Sequence, residues 1–535
     1  MSDPLITTVA ADSVAGDKGL KKGAIGLVGS VVVATASTAP AYSLAASLGF
    51  IVASGGGLLA GLKSPAIILV AFIPMYFIAQ AYKELNEADP DCGTTFTWAS
   101  RAFGSVTGWM GGWGIIIADI IVMANLAYIA GQYTFVFVGG FGLPEVAALS
   151  DDIWASTLVG VLWIVVMTSI CYRGIEISAR LQYGLLGFEM VLLLAFAVIA
   201  IVKVATGHGE SYSVGFDLSW LNPFGMSFAD AFAPAVLTAI FIYWGWDSAV
   251  AVNEETKDPG RTPGRAAVTS TLLLLGTYLL VTIATVSFAG VGTKGIGLGN
   301  PDNASDVFST MAPEVFGGGG IGVVLQILFA ATILTSASAS TQTTILPTAR
   351  TSLSMAAHKA LPSHFARIHP RYLTPTWSTI GMGIVSIVFF LAFTLISPDL
   401  LEALIESLGL MIAFYYGLTG IACVWFYRNT LFRSVRNFVF RGLMPFLGFG
   451  FLAVVFVYGL ISYSAVDWLQ SADGENVTIF GVGAVGVVGV VGLLAGFVLM
   501  FVWWSRNPEF FRGKVIPRGA FLEGVTVDDA NRVAD

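Results

Sequence analysis

Charge is what this chain lacks. Only 11% of its 535 residues are Asp, Glu, Lys or Arg, against roughly 25% in a soluble protein. That shortage excludes an ordinary water-soluble domain. Histidine is scarce as well. His208, His358, His364 and His369 all fall in expected loops, and the last three sit in a basic stretch that reads as solvated rather than metal-binding. The three cysteines, Cys92, Cys171 and Cys423, lie at or near one side of the expected membrane topology, so no disulfide is expected. No phosphate-binding Gly-Lys loop, zinc-binding helix motif or nucleophile elbow is present. The residues give no support to an enzyme, and no cofactor or metal is expected. The net charge of −8 calls for no nucleic-acid partner.

Apolar sequence is abundant instead, at 56% hydrophobic residues and a mean hydropathy of +0.80. Runs of about 20 residues, enough to cross a hydrocarbon core, fall near 23–50, 64–82, 105–138, 154–171, 180–204, 229–252, 266–290, 321–346, 376–396, 401–427, 445–465 and 479–504. The expected fold is therefore an all-α integral membrane protein with about twelve transmembrane helices. If both termini are cytoplasmic, every Lys and Arg except Lys63, Lys203 and Lys294 lies inside. Such a bias sets topology and supports an even number of spans. Residues 1–22 and 505–535 read as cytoplasmic tails around a transporter domain at 23–504. The first tail is polar and the apolar run behind it is too long for a signal-peptide core. The loop at 347–375 reads as the longest cytoplasmic connection. Gly104, Gly108 and Gly112, and the Gly-rich twelfth span, are small-residue faces suited to close helix packing or to a dimer seam.

Two interruptions stand out. The first span dissolves into Ala36, Ser37, Thr38, Ala39 and Pro40, and the sixth contains Tyr243, Trp244, Gly245, Trp246 and Asp247. A membrane helix must satisfy its backbone internally, so a break survives only inside protein or beside a watery cavity. Breaks in corresponding places of two halves point to a transporter's substrate site. One half-helix end offers amide groups and a positive dipole end for a carboxylate; the other offers carbonyls for an ammonium. Pro40 disfavours helix before it and lacks an N–H, which suits either a break or an ordinary kink.

Ionisable groups inside a membrane are costly and by default functional. Asp119, Glu189 and Asp247 are three such groups. Burial disfavours the charged form of a carboxyl, the property that a proton carrier needs, and a hydrogen-bonded structural carboxyl is the alternative. Glu402 and Glu406 read as interfacial. The hydroxyl run from Thr335 to Thr341 suits sodium ligation or helix packing.

The run from Phe241 to Ala249, continuing through Asn253, Glu254, Glu255, Thr256, Lys257, Asp258 and Pro259 to Pro263, resembles the sixth span and following loop of the amino acid–polyamine–organocation permeases. Leu346 to Arg350, Leu361 to Arg367 and Thr374-Pro375 are similar to that family's loop after span eight, and Pro90 to Trp98 to its loop after span two. The resemblance implies a five-plus-five inverted repeat, at about 23–204 and 229–427, with two extra helices at 445–504 and with helices 1 and 6 broken. It implies that Ala36, Ser37, Thr38, Ala39 and Pro40 hold a substrate carboxylate through backbone. Phe241, Tyr243 and Trp244 would hold the amine, with Phe241 also matching an aromatic gate, and Gly245 and Asp247 completing the site. The first span lacks the family's usual Gly-small-Gly break, and Glu189 stands where many relatives carry a proton-sensing Lys. Glu189 is thus the first candidate for proton coupling and Asp119 the second. The expected function is import of an amino acid across the plasma membrane by proton symport. Transport of polyamines or cationic amino acids, and obligate exchange, remain alternatives, while a channel or sensor would need polar rings that no span shows.

Overall fold

The computed structural model describes residues 17–54, 57–471 and 474–518. The expectations for residues 1–16 and 519–535 of the two tails, and for the Glu402 side chain, lie outside the described residues.

The apolar runs fold as helices, since only internal i→i−4 bonding satisfies a backbone that lipid surrounds. In chain order they are α1 (Leu27–Ser37), α2 (Pro40–Val52), α3 (Ser64–Ala88), α4 (Thr95–Phe103), α5 (Ser105–Gly139), α6 (Ile153–Tyr172), α7 (Ile175–Ala205), α8 (Ala233–Ile242), α9 (Ser248–Ala251), α10 (Thr262–Ala289), α11 (Val307–Phe316), α12 (Gly320–Ala357), α13 (Thr376–Ile396), α14 (Pro398–Tyr427), α15 (Met444–Tyr463) and α16 (Ala484–Arg506). Among the described residues, eleven helical stretches are long and apolar enough to cross a membrane, the first of them being α1 and α2 taken together. The sixth span escapes that count because it is broken. A π-helical turn, Phe228–Phe232, leads into α8, which stops at Ile242, and the chain resumes as α9. Counting it gives the expected twelve. Leu158, Val191, Val388 and Val454 are exposed on the outside of the bundle, as a lipid-facing surface requires.

Two expected loops are helical. The connection after span two folds as α4, joined to α5 through Gly104 at φ 103°. Gly108 explains the close packing there, since a Cβ on it would lie 2.6 Å from the Ser100 backbone nitrogen. At Gly112 an added Cβ would meet Met355 of α12 at 2.8 Å. These small residues serve packing within the chain. The eighth helix also runs past its expected end at 346, through Pro347 to Ala357. Beyond that proline, side chains pin it: Thr348 donates to Asp119 of α5 at 2.5 Å, and Arg350 makes two hydrogen bonds to Glu255 at 2.9 and 3.0 Å. The loop expected at 347–375 is correspondingly shorter.

The cations gather at one end of the bundle, where a network closes it. Lys18 reaches both Asp91 at 2.9 Å and Glu254 at 2.5 Å, Arg101 pairs with Asp89, and Arg441 with Glu84. Behind Lys18, the Ala24 and Ile25 amides donate to the Glu255 carbonyl and the Lys257 amide returns a bond to Ile25. Burial alone would push the Asp91 carboxyl up. The Lys18 ammonium, His358 and the Ser354 hydroxyl outweigh it and hold Asp91 well below the usual carboxylate range. Burial likewise works against the Lys18 charge, but Asp91 and Glu254 raise it well above the usual ammonium range. We refer to this as the basic end. Cys92, Cys171 and Cys423 are buried and free.

Candidate functional site

The first break is a change of hand. Helix α1 ends at Ser37, Thr38 stays right-handed, and Ala39 turns left-handed at φ 46°, ψ 67° before Pro40 opens α2. A non-Gly residue in that region costs about 1–2 kcal/mol, so the surroundings must enforce it. Pro40 at the first helical position is well placed, because its missing N–H would have had no helical partner. Ala36, Ser37, Thr38, Ala39 and Pro40 are all buried.

The second break spans Tyr243 to Asp247, with Gly245 at φ 113°. An added Cβ at Gly245 would lie 2.8 Å from the Ser37 carbonyl oxygen, so the two breaks touch. Serine hydroxyls tie them further. Ser37 Oγ and Ser248 Oγ are 2.7 Å apart, Ser248 Oγ donates to the Gly245 carbonyl at 2.7 Å, and Ser340 Oγ of α12 donates to the Ser37 carbonyl at 2.8 Å.

The acceptors at the second break divide into used and open. Tyr278 donates to the Ile242 carbonyl at 2.7 Å, and the Trp244 amide donates to Phe241 at 3.0 Å. No hydrogen bond among the described residues reaches the Tyr243 or Trp244 carbonyl. Asp247 receives the hydroxyls of Tyr415 at 3.1 Å and Tyr416 at 2.9 Å, both from α14, and the Trp244 indole N–H donates to Tyr415. Around this carboxyl the rings of Tyr82, Trp246 and Tyr416 pack within 4.9–5.7 Å of one another. Phe241, at the end of α8, is 8% exposed.

The amide side of the first break is occupied. Glu189 of α7 accepts the Ala41 N–H at 2.8 Å and the Ser336 hydroxyl at 2.8 Å, both on Oε1. Its other oxygen has no partner among the described residues. Asp119 accepts the Thr348 hydroxyl and shares no hydrogen-bond partner with Glu189 or Asp247 among the described residues. Neither Asp119, Glu189 nor Asp247 forms an ion pair among the described residues. Within the hydroxyl run, Ser336 and Ser340 bond to other helices, while Thr335 and Thr341 bond back to carbonyls of α12.

A cavity of about 410 Å³ opens at the end opposite the basic one, lined by Tyr42, Asn125, Tyr128, Tyr133, Asp151 and Asp306 among others. At its floor Tyr42 and Asn125 are hydrogen-bonded, as are Tyr133 and Asp306 at its side. Sequence reasoning brought both breaks and Glu189 forward. It missed Tyr415 and Tyr416, whose signal was two hydroxyl-bearing rings in the middle of an apolar span. It also missed Ser336 as the partner of Glu189, visible only as one hydroxyl among many.

The sequence model of the amino acid permease family matches residues 25–459. An uncharacterized transporter of Mycobacterium tuberculosis is 27% identical over 367 residues, covering 68% of this chain and 72% of that protein. The mitochondrial cationic amino acid transporter 3 of Arabidopsis thaliana is 26% identical over 352 residues, or 65% of this chain and 54% of that protein. Among solved structures, MhsT in complex with L-phenylalanine aligns with a TM-score of 0.56 at 14% identity, over 82% of this chain and 99% of that one. The fold is thus that of an all-α membrane transporter built on an inverted repeat.

Proposed function

This chain belongs to the amino acid permease family, and we propose that it imports a small amine-bearing solute across the plasma membrane by proton symport with alternating access. The observation that carries the reading is the contact between the two breaks. Gly245 lies against Ser37, beside an unwound stretch whose Tyr243 and Trp244 carbonyls stay open and whose Asp247 carboxylate is fixed by two tyrosines. Open carbonyls and a carboxylate are the acceptors that an ammonium group needs.

On this reading Phe241, Tyr243, Trp244, Gly245 and Asp247 hold the amine. Ala36, Ser37, Thr38, Ala39 and Pro40 form the facing wall. Glu189 carries the coupling proton, because it joins α7, α12 and the first turn of α2, three elements that must move relative to one another. Asp119 is the second candidate. The basic end and both termini face the cytoplasm, in keeping with the distribution of Lys and Arg. The cavity of about 410 Å³ then opens outward while the basic end is shut. Repeat one occupies about 23–204, repeat two about 229–427, and the last two helices lie outside them.

Amino acids and amines are the two solute classes compatible with this chemistry. A polyamine or cationic solute gains support from one observation: Asp119, Glu189 and Asp247 are all buried without a cationic partner among the described residues. Purified protein in liposomes tests the function. At least one member of a panel of amino acids and polyamines should accumulate under an inward proton gradient and not after its collapse. Uptake that follows a sodium gradient instead, or only a counter-loaded solute, would refute proton symport.

A further inference from the structure

We propose that Glu189 occupies the seat in which the first break would otherwise hold a substrate carboxylate, so that the transported solute is an amine without a carboxylate. This inference rests on reading the two breaks as the substrate site.

A helix start binds an anion through the N–H groups of its first turn. In α2 each of these is engaged. Pro40 has none, the Ala41 N–H donates to Glu189 Oε1 at 2.8 Å, the Tyr42 N–H to Ser336 Oγ at 3.2 Å, and the Ser43 N–H to the Ala39 carbonyl at 2.8 Å. The two amides ahead of the proline turn back onto α1, from Thr38 to the Thr35 carbonyl and from Ala39 to the Ala36 carbonyl, each at 3.2 Å. Ser336 Oγ closes the arrangement by donating to the same oxygen of Glu189 at 2.8 Å. A carboxylate on a half-helix start, clasped by a serine, is what a bound α-carboxylate would look like. Here the chain supplies it from α7.

The acceptors show the opposite pattern. The Tyr243 and Trp244 carbonyls are open, and Glu189 Oε2 is buried without a partner among the described residues. A solute bringing a carboxylate of its own would meet Asp119, Glu189 and Asp247, none of them paired with a cation among the described residues, at a steep desolvation cost. A solute bringing only ammonium groups meets acceptors that lack donors. Donors without a partner among the described residues are present as well: the Trp246 indole N–H, within the ring cluster of Tyr82 and Tyr416, and the hydroxyls of Thr35 and Ser338, none of which carries a charge. The outer cavity repeats the preference. Its charged lining residues are Asp151 and Asp306, beside the rings of Tyr42, Tyr128 and Tyr133, and aromatic faces attract organic cations.

The test uses the full-length purified protein and pairs of solutes that differ only by a carboxylate, putrescine against ornithine and phenethylamine against phenylalanine. Binding is measured by calorimetry and proton-driven uptake in liposomes. The wild-type chain should bind at least one amine about tenfold or more tighter than its amino acid partner, the scale of a lost charge-assisted hydrogen bond. Glu189→Ala vacates the seat and frees the Ala41 N–H, so it should narrow or invert that ratio by about the same factor. Glu189→Gln keeps the seat filled and should keep the preference. If Glu189→Ala does not fold, Ser336→Ala loosens the clasp and should shift the ratio the same way. A wild-type chain that drives an amino acid inward as well as its amine partner overturns the inference and leaves proton symport standing. A ratio untouched by Glu189→Ala also overturns it, reducing Glu189 to a cap on α2. Failure of the proton gradient to drive either member of a pair overturns the underlying reading, and the inference with it.

Discussion

Substituting Gly245 by Ala tests the contact between the breaks with a single methyl group. The residue sits at φ 113°, and the new Cβ would lie 2.8 Å from the Ser37 carbonyl oxygen and 2.9 Å from its carbon. Both atoms are backbone, so no side chain can swing aside. The positive φ costs roughly 1–3 kcal/mol for a residue with a Cβ, and overpacking adds roughly 1–3 kcal/mol. Together these are roughly 2–6 kcal/mol, a large part of the roughly 5–15 kcal/mol that holds a typical fold. Gly276→Ala is the internal control. Gly276 lies within α10, where an added Cβ would have nothing inside 4 Å, and Ala there should be neutral or stabilising by about 0.5–1 kcal/mol. Purified variants are compared by melting in detergent and by uptake in liposomes. Gly245→Ala should melt several degrees lower and lose uptake, while Gly276→Ala should match the parent. If Gly245→Ala melted and transported like Gly276→Ala, the two breaks would not be in contact and the site as drawn would be wrong.

Three further outcomes are expected. Asp247→Asn keeps the shape but removes the charge that Tyr415 and Tyr416 fix, so the protein should remain folded with uptake abolished; near-normal uptake removes Asp247 from the site. Glu189→Gln should flatten the pH dependence of uptake while ligand binding, followed by calorimetry, persists; an unchanged pH profile ends its coupling role. At the basic end the pH argument runs the other way. Asp91 is depressed below its ordinary 3.8, so its contribution is full above that value and fades only as pH falls through its lower folded value. Lys18 is raised above its ordinary 10.5, so its contribution is full below that value and fades only at higher pH. Lys18→Met should therefore lower the melting temperature equally at pH 5 and pH 8, and a loss that titrates between them would contradict the pairing.

Much of this architecture was legible because lipid leaves few choices. Long apolar runs had to be helices, and the runs interrupted at Thr38-Ala39-Pro40 and at Gly245 were the candidates for breaks, with a kink at Pro40 as the alternative. The misplacements have local causes. The stretch from Thr95 to Phe103 carries polar and apolar residues in a helical mixture that is too short and too polar to read as a span, yet it folds as α4 against the glycines of α5. The continuation of α12 past Pro347 depends on anchors, Asp119 and Glu255, that lie 229 and 95 residues away in the chain. Such partners are invisible in a linear reading. The same holds for the pairing of Asp247 with Tyr415 and Tyr416, 168 and 169 residues distant. A sequence can nominate a buried carboxyl, but only the fold says which groups it meets.

Glu189 gives that limit its sharpest form. Read along the chain, the family resemblance puts it where many relatives carry a cation, and a carboxyl there suggests only that coupling differs. In space it reaches the first turn of α2 and takes the amide that a zwitterion's carboxylate would need. On the proposed reading, proton coupling and substrate choice both run through this one side chain. On that reading, protonating Glu189 would weaken its hold on the positive end of α2, and an ammonium bound nearby would favour the charged form again. Ser336 and Ser340 connect the two events, since the first clasps Glu189 and the second holds the Ser37 carbonyl that Gly245 packs against. Ser37, Gly245, Ser336 and Ser340 thus form one continuous set of contacts between the two breaks and Glu189. On the proposed reading, those contacts put the proton site and the solute site on neighbouring turns of the same two breaks.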